Sequence, residues 1–520
     1  MTATARHAAA AHPPRALLAL LLALGAALLH APPALAAEAD HDLWYIIEMA
    51  GQRSGWMRST QRTEGDRIIT IRELQLEIRR GRTPITVRNV SEFVETPTGE
   101  PISMKNTQQL GSAPVTTEYT FAPDKVTIVT SQPGFPPTQI EASPPEGQWL
   151  TPAAALEFTR KRLEAGANEI VVRSVDPAQG LQPVVFTRKI LERTTAEALG
   201  KTVPAIKTSV SMSNMAGIES VEFVDERGMT IRSTTNLGDI PMTMIAAERE
   251  LAMADVDPPE LMQRTFVTPD RGIPSPRKVR SAAYLLRVPG DGPALAEIPA
   301  TGAQRVEPAG DDAIRITIDA DDLAPADPAD ADNPEFTAAS SMLNSEDERV
   351  KELVERALRP LDEGATPAQR AEALRRYVHT FIRAKGLGVG FATASEVART
   401  REGDCTEHAA LLAAMLRAAG IPSRTASGLI YADAFAGSEH IFGYHMWTQA
   451  LLTIDGVPRW VDLDATLGPQ TPFDATHIAL AVTSMTDGQA PNALIALTPL
   501  LGRLEITVEH ISAAAPEPVP

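Results

Sequence analysis

Hydrophobic and polar positions follow two different patterns in the two halves of this 520-residue chain. From residue 43 to about residue 253, β-branched and aromatic residues form short runs bounded by Gly, Pro, Asp or Ser. The clearest runs are residues 43–49, 67–71, 115–121 and 125–130. This spacing predicts antiparallel sheet, in a sandwich or an open barrel. One helix interrupts the strands, with Thr151 as its N-cap and Pro152 as its first residue.

Helical spacing dominates the chain after residue 333. Ser345 and Glu348 have the spacing of a capping box for one helix, and Thr366-Pro367 begins a second. A third helix is predicted over residues 405–419, because its small and apolar residues recur at helical intervals and Gly420 ends the run.

A hairpin is predicted after this third helix. Residues 445–454 form a strand, Asp455-Gly456 is a strong two-residue turn signal, and residues 459–464 return. In that turn Ile454 faces Val457, which fixes the register of the whole pair.

The first 36 residues have the pattern of a secretory signal. Arg6 and Arg15 precede an apolar run at residues 16–29, and Ala34-Leu35-Ala36 forms a small-residue cleavage site. We therefore expect a periplasmic or secreted protein, with no integral membrane segment after cleavage. The formal charge is −18, or −20 without the two arginines of the leader, which argues against nucleic acid as a partner.

These patterns predict five segments. A signal peptide (1–36) precedes a β-rich domain of unknown function (37–254). A proline-rich linker with a small β segment and an acidic stretch follows (255–332). An α+β domain (333–512) and a flexible tail (513–520) complete the chain.

Two charged clusters invite a functional interpretation. Arg79, Arg80 and Arg82 surround a glycine at a strand end, and we interpret them as a solvated turn. The acidic residues between 319 and 332 lack the glycine and distal glutamate of a calcium loop, so we interpret them as a solvated linker.

Cys405 is the single cysteine, so it has no disulfide partner within an exported chain. Its predicted place in the first turn of a helix favours a thiolate, because the unpaired N–H groups there attract negative charge. We interpret Cys405 as a nucleophile rather than as a buried hydrophobic residue.

A catalytic thiol needs an imidazole and a group that orients it, and the hairpin offers both. The predicted register puts His445 diagonal to Asp464, whereas Asp462 lies opposite Gln449 and further from the imidazole. Asp464 is therefore preferred to Asp462.

The remaining histidines are weaker candidates. His408 shares the helix of Cys405, but we assign it a structural role, and His440 lies in a loop. His477 is expected to pack. The tetrapeptides 464–467 and 474–477 share three letters, too few to indicate a repeat. A zinc site of Cys405, His408 and His445 matches none of the usual ligand spacings.

The motif Gly403-Asp404-Cys405-Thr406-Glu407-His408, together with His445-Met446-Trp447 and residues 460–466, resembles the core of the transglutaminase-like superfamily, in its bacterial exported branch. The resemblance is specific from about residue 392 to residue 468. It implies a papain-like α+β core in which Cys405, His445 and Asp464 are catalytic. It requires no cofactor and no metal, and the calcium sites of the animal enzymes have no matching motif.

The chain departs from the family at two places near these residues. Ala465 stands where the family often has proline, and Gln449 where it often has an acidic residue. Neither departure touches the three catalytic groups.

The sequence thus predicts an exported cysteine protease, amidase or transglutaminase-type enzyme that acts on protein or peptide substrates. Trp447, on the face of His445, could wall its cleft or simply pack in the core. The alternative is a non-catalytic envelope-binding protein that retains the fold. In either case the N-terminal β-rich region could contact an envelope partner.

Overall fold

The computed structural model describes residues 40–513, except 82, 110–113, 134–135, 199, 216, 290–294, 296–297, 311, 387–391 and 487–496. The predicted leader and all but the first residue of the predicted tail lie outside this range. Among the described residues, no helix is long and apolar enough to cross a membrane.

The first fourteen strands form one antiparallel sheet. Their order is β8-β7-β6-β5-β4-β3-β2-β1-β14-β13-β12-β11-β10-β9, so almost every strand pairs with its neighbour in sequence and β1 joins the two runs. The strands are β1 (His41–Met49), β2 (Gln52–Glu64), β3 (Arg67–Arg80), β4 (Thr83–Glu95), β5 (Pro101–Gln109), β6 (Val115–Phe121), β7 (Val126–Ser131), β8 (Thr138–Ala142), β9 (Glu169–Ser174), β10 (Val184–Ala198), β11 (Lys201–Met212), β12 (Glu219–Val224), β13 (Thr230–Leu237) and β14 (Ile240–Ala247).

The predicted helix α1 (Pro152–Glu164) lies between β8 and β9, and a short helix α2 (Arg249–Ala252) follows β14. Thr151 occupies the N-cap position, as predicted. Its hydroxyl donates to the buried Glu95 carboxylate, which in turn accepts the N–H of Ala153 at 2.9 Å. The cap of this helix therefore comes from β4.

Two four-stranded sheets make up the second half of the chain. One has the order β16-β17-β15-β22 and the other β20-β19-β18-β21. Their strands are β15 (Val279–Arg287), β16 (Gln304–Pro308), β17 (Ala313–Asp319), β18 (Ser423–Phe435), β19 (Ser438–Ile454), β20 (Val457–Leu463), β21 (His477–Thr483) and β22 (Glu505–Ala513). Because β22 pairs with β15, one sheet takes strands from both sides of the predicted boundary at residue 333.

Five α-helices, counted over the described residues, accompany the sheet that contains β19, and the last of them packs directly on β18 and β19. They are α3 (Pro334–Thr337), α4 (Glu348–Leu358), α5 (Pro367–Phe381), α6 (Ala394–Thr400) and α7 (Cys405–Ala418). The predicted capping box at Ser345 is wrong, because Asp347 is the N-cap of α4 and accepts the N–H of Arg349 at 2.9 Å. The capping box of α5, from Thr366 to Gln369, is present.

One continuous core joins the N-terminal sheet to these helices. Buried residues of β1 and β3 such as Ile47 and Leu76 belong to the same hydrophobic cluster as Leu374 of α5, Leu411 of α7 and Met446 of β19. A second cluster packs the β15–β17 sheet against β18 and β19 through residues such as Tyr284, Leu429 and Phe442. The predicted α+β class, with an antiparallel β-rich region ahead of a domain of helices and sheet, is confirmed.

The stretch predicted as a proline-rich linker is packed into this arrangement. Leu261 is fully buried, and Val267 exchanges two backbone hydrogen bonds with Phe442 of β19, at 2.8 and 2.9 Å. In the acidic stretch, Asp321 pairs with Arg280 at 2.6 Å, and Asp330 accepts the indole N–H of the buried Trp460 at 2.9 Å. The acidic residues are therefore not simply solvated, because several hold the stretch against the sheets.

Candidate active site

The predicted nucleophile lies at the start of a capped helix. Cys405 is the first residue of α7, Asp404 is the N-cap, and its carboxylate accepts the N–H of Thr406 at 2.9 Å. Glu407 completes a capping box by accepting the N–H of Asp404 at 2.8 Å. The turn needs glycine at 403, because a Cβ there would lie 2.2 Å from the Cβ of Glu407 and φ is +152°. The local motif thus holds the cysteine in place through its own neighbours.

The surroundings of the Cys405 thiol oppose its ionisation. The side chain is only partly exposed, and burial together with the Asp404 carboxylate raises the pKa of the thiol well above its ordinary value. Arg80 and a hydrogen bond from the backbone of Met446 act in the opposite direction. The expectation of a resting thiolate is therefore wrong, because burial and Asp404 outweigh Arg80 and the Met446 hydrogen bond.

The predicted hairpin supplies an imidazole beside this cysteine. Its register is as predicted, with Ile454 opposite Val457 and Gln449 opposite Asp462. His445 lies on β19 immediately before Met446, whose backbone reaches the cysteine sulfur. Its Nε2 donates to Oδ2 of Asp464 at 2.8 Å, so in the neutral imidazole Nδ1 is the nitrogen that can accept a proton. The structure thus bonds His445 to Asp464 and places Cys405 next to β19, the strand that carries His445.

Two sets of hydrogen bonds fix the Asp464 carboxylate. Its Oδ1 accepts both the N–H and the hydroxyl of Thr466, each at 2.7 Å. The side chain of Asp464 is 1% exposed, and burial alone would raise its pKa. His445 and His477 outweigh that effect and hold the pKa well below its ordinary value. Asp464 is therefore a buried anion.

Arg375 of α5 holds the loop that carries Asp464. The guanidinium is buried and donates to four backbone carbonyls of residues 464, 467, 468 and 469, at 3.1 to 3.4 Å. It also pairs with Glu372, one turn earlier, at 2.8 Å. A cation at the centre of this loop fixes the backbone from which the carboxylate projects.

His477 is a site residue that the sequence analysis missed. It is fully buried on β21, and its Nε2 donates to the same Oδ2 of Asp464 at 3.2 Å, while Nδ1 donates to the carbonyl of Asp474 at 3.0 Å. Both partners can only accept, so the ring carries both protons and is a cation. Burial opposes that charge, but the Asp474 and Asp464 carboxylates outweigh it and raise the pKa of His477 to about 9. The prediction that His477 simply packs is wrong.

A sequence signal for this pairing was present. Asp464-Ala-Thr and Asp474-Ala-Thr both form a turn in which the aspartate accepts the N–H and the hydroxyl of the threonine two residues later. The short repeat that seemed too weak to interpret thus marks two equivalent carboxylates, one on each side of His477.

The competing carboxylate has a different role. Asp462 is buried and accepts from the indole of Trp447 at 2.8 Å and from the amide of Gln449 at 2.7 Å. Trp447 is fully buried and stacks on His445, with ring centroids 6.1 Å apart. Asp462 therefore fixes the indole that lies against the imidazole, and it does not bond to His445 itself.

Arg80 reaches this site from the N-terminal sheet. It is the last residue of β3, its side chain is 13% exposed, and its Nη2 lies 2.5 Å from Oδ2 of Asp404. The interpretation of the arginine cluster as a solvated turn is wrong for Arg80, because the core shared by the two halves brings the end of β3 against the start of α7. Arg79 keeps the exposed setting that was predicted, with an ion pair to Asp257.

The other histidines do not bond to Asp464. His408 donates from Nδ1 to the carbonyl of Asp404 at 2.6 Å, and burial lowers its pKa to about 4, consistent with a structural role. His440 contacts the hydroxyl of Tyr431 at 2.9 Å. His445, Asp464 and His477 lie with their polar atoms within 4.8 Å of one another, so these three, rather than Cys405 and His408, could hold a metal ion if it displaced the Nε2 proton that His477 donates to Asp464.

A comparison with protein-family models matches residues 355–465 to the family described as the transglutaminase-like superfamily. The matched range contains Cys405, His445 and Asp464. It leaves out Arg80 and His477. No curated protein matches the chain.

Three solved structures are similar to parts of the chain. A β-barrel-like protein of a domain of unknown function from Brucella abortus is 11% identical, and the match covers 42% of this chain and 98% of that one with a TM-score of 0.32. A candidate cysteine protease from Cytophaga hutchinsonii is 14% identical over 47% of this chain and 89% of that one, with a TM-score of 0.24. A candidate protease from Parabacteroides distasonis is 12% identical over 69% and 63%, with a TM-score of 0.17. Similarity at this level is too loose to transfer a function.

Proposed function

Because residues 355–465 form a transglutaminase-like domain, we propose that this chain is an exported enzyme that transfers acyl groups through a cysteine thiol. Its substrates are peptide bonds or carboxamide side chains of proteins, as in a cysteine protease, an amidase or a transglutaminase. The observation that carries the proposal is the hydrogen bond between His445 and Asp464. The residue after His445 is Met446, whose backbone contacts the Cys405 sulfur.

The first step follows from the state of each group. The thiol is protonated at rest, so His445 Nδ1 takes its proton while the sulfur attacks the carbonyl carbon. Asp464 holds the imidazole in the required tautomer and stabilises the imidazolium that forms. The N–H of Cys405, unpaired at the first position of α7, can donate to the oxyanion.

The second step releases the amine and then the acyl group. The tetrahedral intermediate collapses when the imidazolium gives its proton to the leaving nitrogen, which breaks the C–N bond and leaves a thioester on Cys405. Water or an amine then attacks the thioester, with Nδ1 taking the proton of the attacking group. The sulfur leaves and recovers a proton from the imidazolium, which restores the starting state.

Labelling with an electrophilic peptide tests this proposal. The purified mature chain is treated with a peptidyl vinyl sulfone near pH 7, next to Cys405→Ala, His445→Ala and Asp464→Ala. His440→Ala is the matched control, since that histidine is exposed and its hydrogen-bond partner is Tyr431 rather than Asp464. We expect labelling of the wild type and the control, weaker labelling of Asp464→Ala, and none of the other two.

The opposing result is equally clear. If the wild type labels no faster than a free thiol in solution, the catalytic proposal fails. The chain is then better treated as a non-catalytic envelope-binding protein with this fold.

A further inference from the structure

Arg80 belongs to the N-terminal sheet, but its backbone is held so that its side chain points toward the other half of the chain. The N–H of Arg79 donates to the carbonyl of Pro259 at 2.8 Å, and the N–H of Gly81 donates to the carboxylate of Glu260 at 2.8 Å. Residues 259–260, which follow β14, thus hydrogen-bond to the backbone of β3 on both sides of Arg80. The strand end is not free to swing away from α7.

Asp404 divides its two oxygens between two tasks. Oδ1 accepts the N–H and the hydroxyl of Thr406 and so caps the helix that begins with Cys405. Oδ2 meets the guanidinium of Arg80 in an ion pair whose side chains are 13% and 7% exposed. A pair this well shielded interacts strongly, because little water screens it.

The charges around the thiol are unevenly distributed. Its own helix contributes the Asp404 carboxylate, Glu407, whose pKa is raised to about 8 by burial and by Asp404, and His408, which is neutral because burial lowers its pKa to about 4. The strand β19 contributes the imidazole of His445, whose Nε2 donates to the anion of Asp464, the residue that follows β20. The cation acting on the thiol from outside the catalytic domain is Arg80.

We propose that Arg80 is a positioning residue of the active site, which neutralises Asp404 so that the Cys405 thiol can lose its proton to His445. The N-terminal sheet would then complete the active site of the transglutaminase-like domain. This inference rests on the proposed function in that it takes Cys405 as the nucleophile. It assigns a role to a part of the chain that the family match leaves out.

The pH profile of Cys405 alkylation by iodoacetamide tests the inference in the full mature chain. Arg80→Gln leaves Asp404 as an unpaired anion beside the thiol. We expect the apparent pKa of the thiol to rise by about one unit or more, which slows alkylation at pH 7 by roughly tenfold. Arg80→Lys keeps the charge and should recover much of the rate.

Arg79→Gln is the matched control. Arg79 is the preceding residue on the same strand, but its side chain pairs with the exposed Asp257, so its profile should equal that of the wild type. A folded Arg80→Gln variant with the wild-type profile would refute the inference, because a purely structural ion pair leaves the titration of the thiol unchanged.

The double variant Arg80→Gln with Asp404→Asn separates neutralisation from folding. Asparagine can still cap the helix, and the unpaired charge is gone, so the profile should return toward that of the wild type. If Arg80→Gln alone does not fold, Asp404→Asn decides: with the carboxylate gone, the Arg80 cation should lower the apparent pKa of the thiol below the wild-type value, and an unchanged profile contradicts neutralisation. Alkylation needs no acyl substrate, so failure of acyl transfer and failure of this inference are separate results.

Discussion

His477 offers a quantitative test of the charge network behind Asp464. The chain of charges runs from Asp464 through His477 and Asp474 to Arg277, whose guanidinium lies 2.8 Å from Asp474. The folded-state pKa of His477 is about 9, against an ordinary value near 6.5. A group whose pKa is raised by folding contributes stability that is complete below the unfolded pKa and is lost as pH rises through the folded one.

The magnitude follows from those two values. A difference of about 2.5 pKa units corresponds to about 3 kcal/mol of the free energy of unfolding, most of which is lost between pH 6 and pH 9. Other groups near the site titrate in the same window, since burial and Asp404 raise the pKa of Glu407 to about 8. The contribution of His477 must therefore be isolated as a difference between variants.

The assay is urea denaturation of the wild type and His477→Gln at several pH values from 6 to 9.5. We expect the variant to be less stable at pH 6 by about 3 kcal/mol, and the gap to close as pH approaches 9 and beyond. His510→Gln, at an exposed position on β22, is the control and should stay parallel to the wild type. A gap that is constant across this range would refute the assignment of His477 as a buried cation.

Three further changes probe the framework of the site. Arg375→Gln should cost about 3 kcal/mol in unfolding free energy and reduce labelling of the thiol, because the loop of Asp464 loses its cation. Arg376→Gln, at a half-exposed neighbouring pair, should cost less than about 1 kcal/mol. Equal losses in the two variants would contradict this role of Arg375. Gly403→Ala should lower the unfolding free energy by about 1 to 3 kcal/mol, and with it the melting temperature, since the new Cβ would overlap Glu407. An unchanged melting temperature would show that the turn can relax. Zinc should inhibit labelling only where it displaces the Nε2 proton that His477 donates to Asp464, so inhibition should strengthen as pH rises toward 9; inhibition that is already complete at pH 6 would contradict the assignment of His477 as a cation.

Local sequence signals predicted much of the second half of the chain. The helix at Cys405 and the Asp455-Gly456 turn depend on residues that are close in sequence, and the turn fixed the register that separates Asp464 from Asp462. Short-range patterns carry that information because capping and strand alternation are decided within a few residues.

The parts that sequence reasoning missed depend on long-range packing. Arg80 lies at the end of a hairpin in another sheet, and its sequence neighbours Arg79 and Gly81 are typical of an exposed turn. Only the core shared by β3 and α7 shows that one of two adjacent arginines is buried. The pKa of Cys405 also depends on long-range packing, since burial, Asp404 and Arg80 act on the thiol only in the folded chain.

Export by the N-terminal leader and the three catalytic assignments remain predictions. The family match and the bonded pair of His445 and Asp464 support an enzyme whose thiol carries an acyl group. Formation of a thioester on Cys405 is the claim on which every other step depends.

Acid-quenched intact mass spectrometry after exposure to p-nitrophenyl acetate tests that claim most directly. The same chain unfolded in urea is the reference for an ordinary thiol, and Cys405→Ala is the control for acylation elsewhere. We expect an acetyl adduct on Cys405 that forms at least roughly 100-fold faster in the folded chain and is lost in His445→Ala. An adduct that forms no faster than in the unfolded chain, or that appears equally in Cys405→Ala, would contradict it.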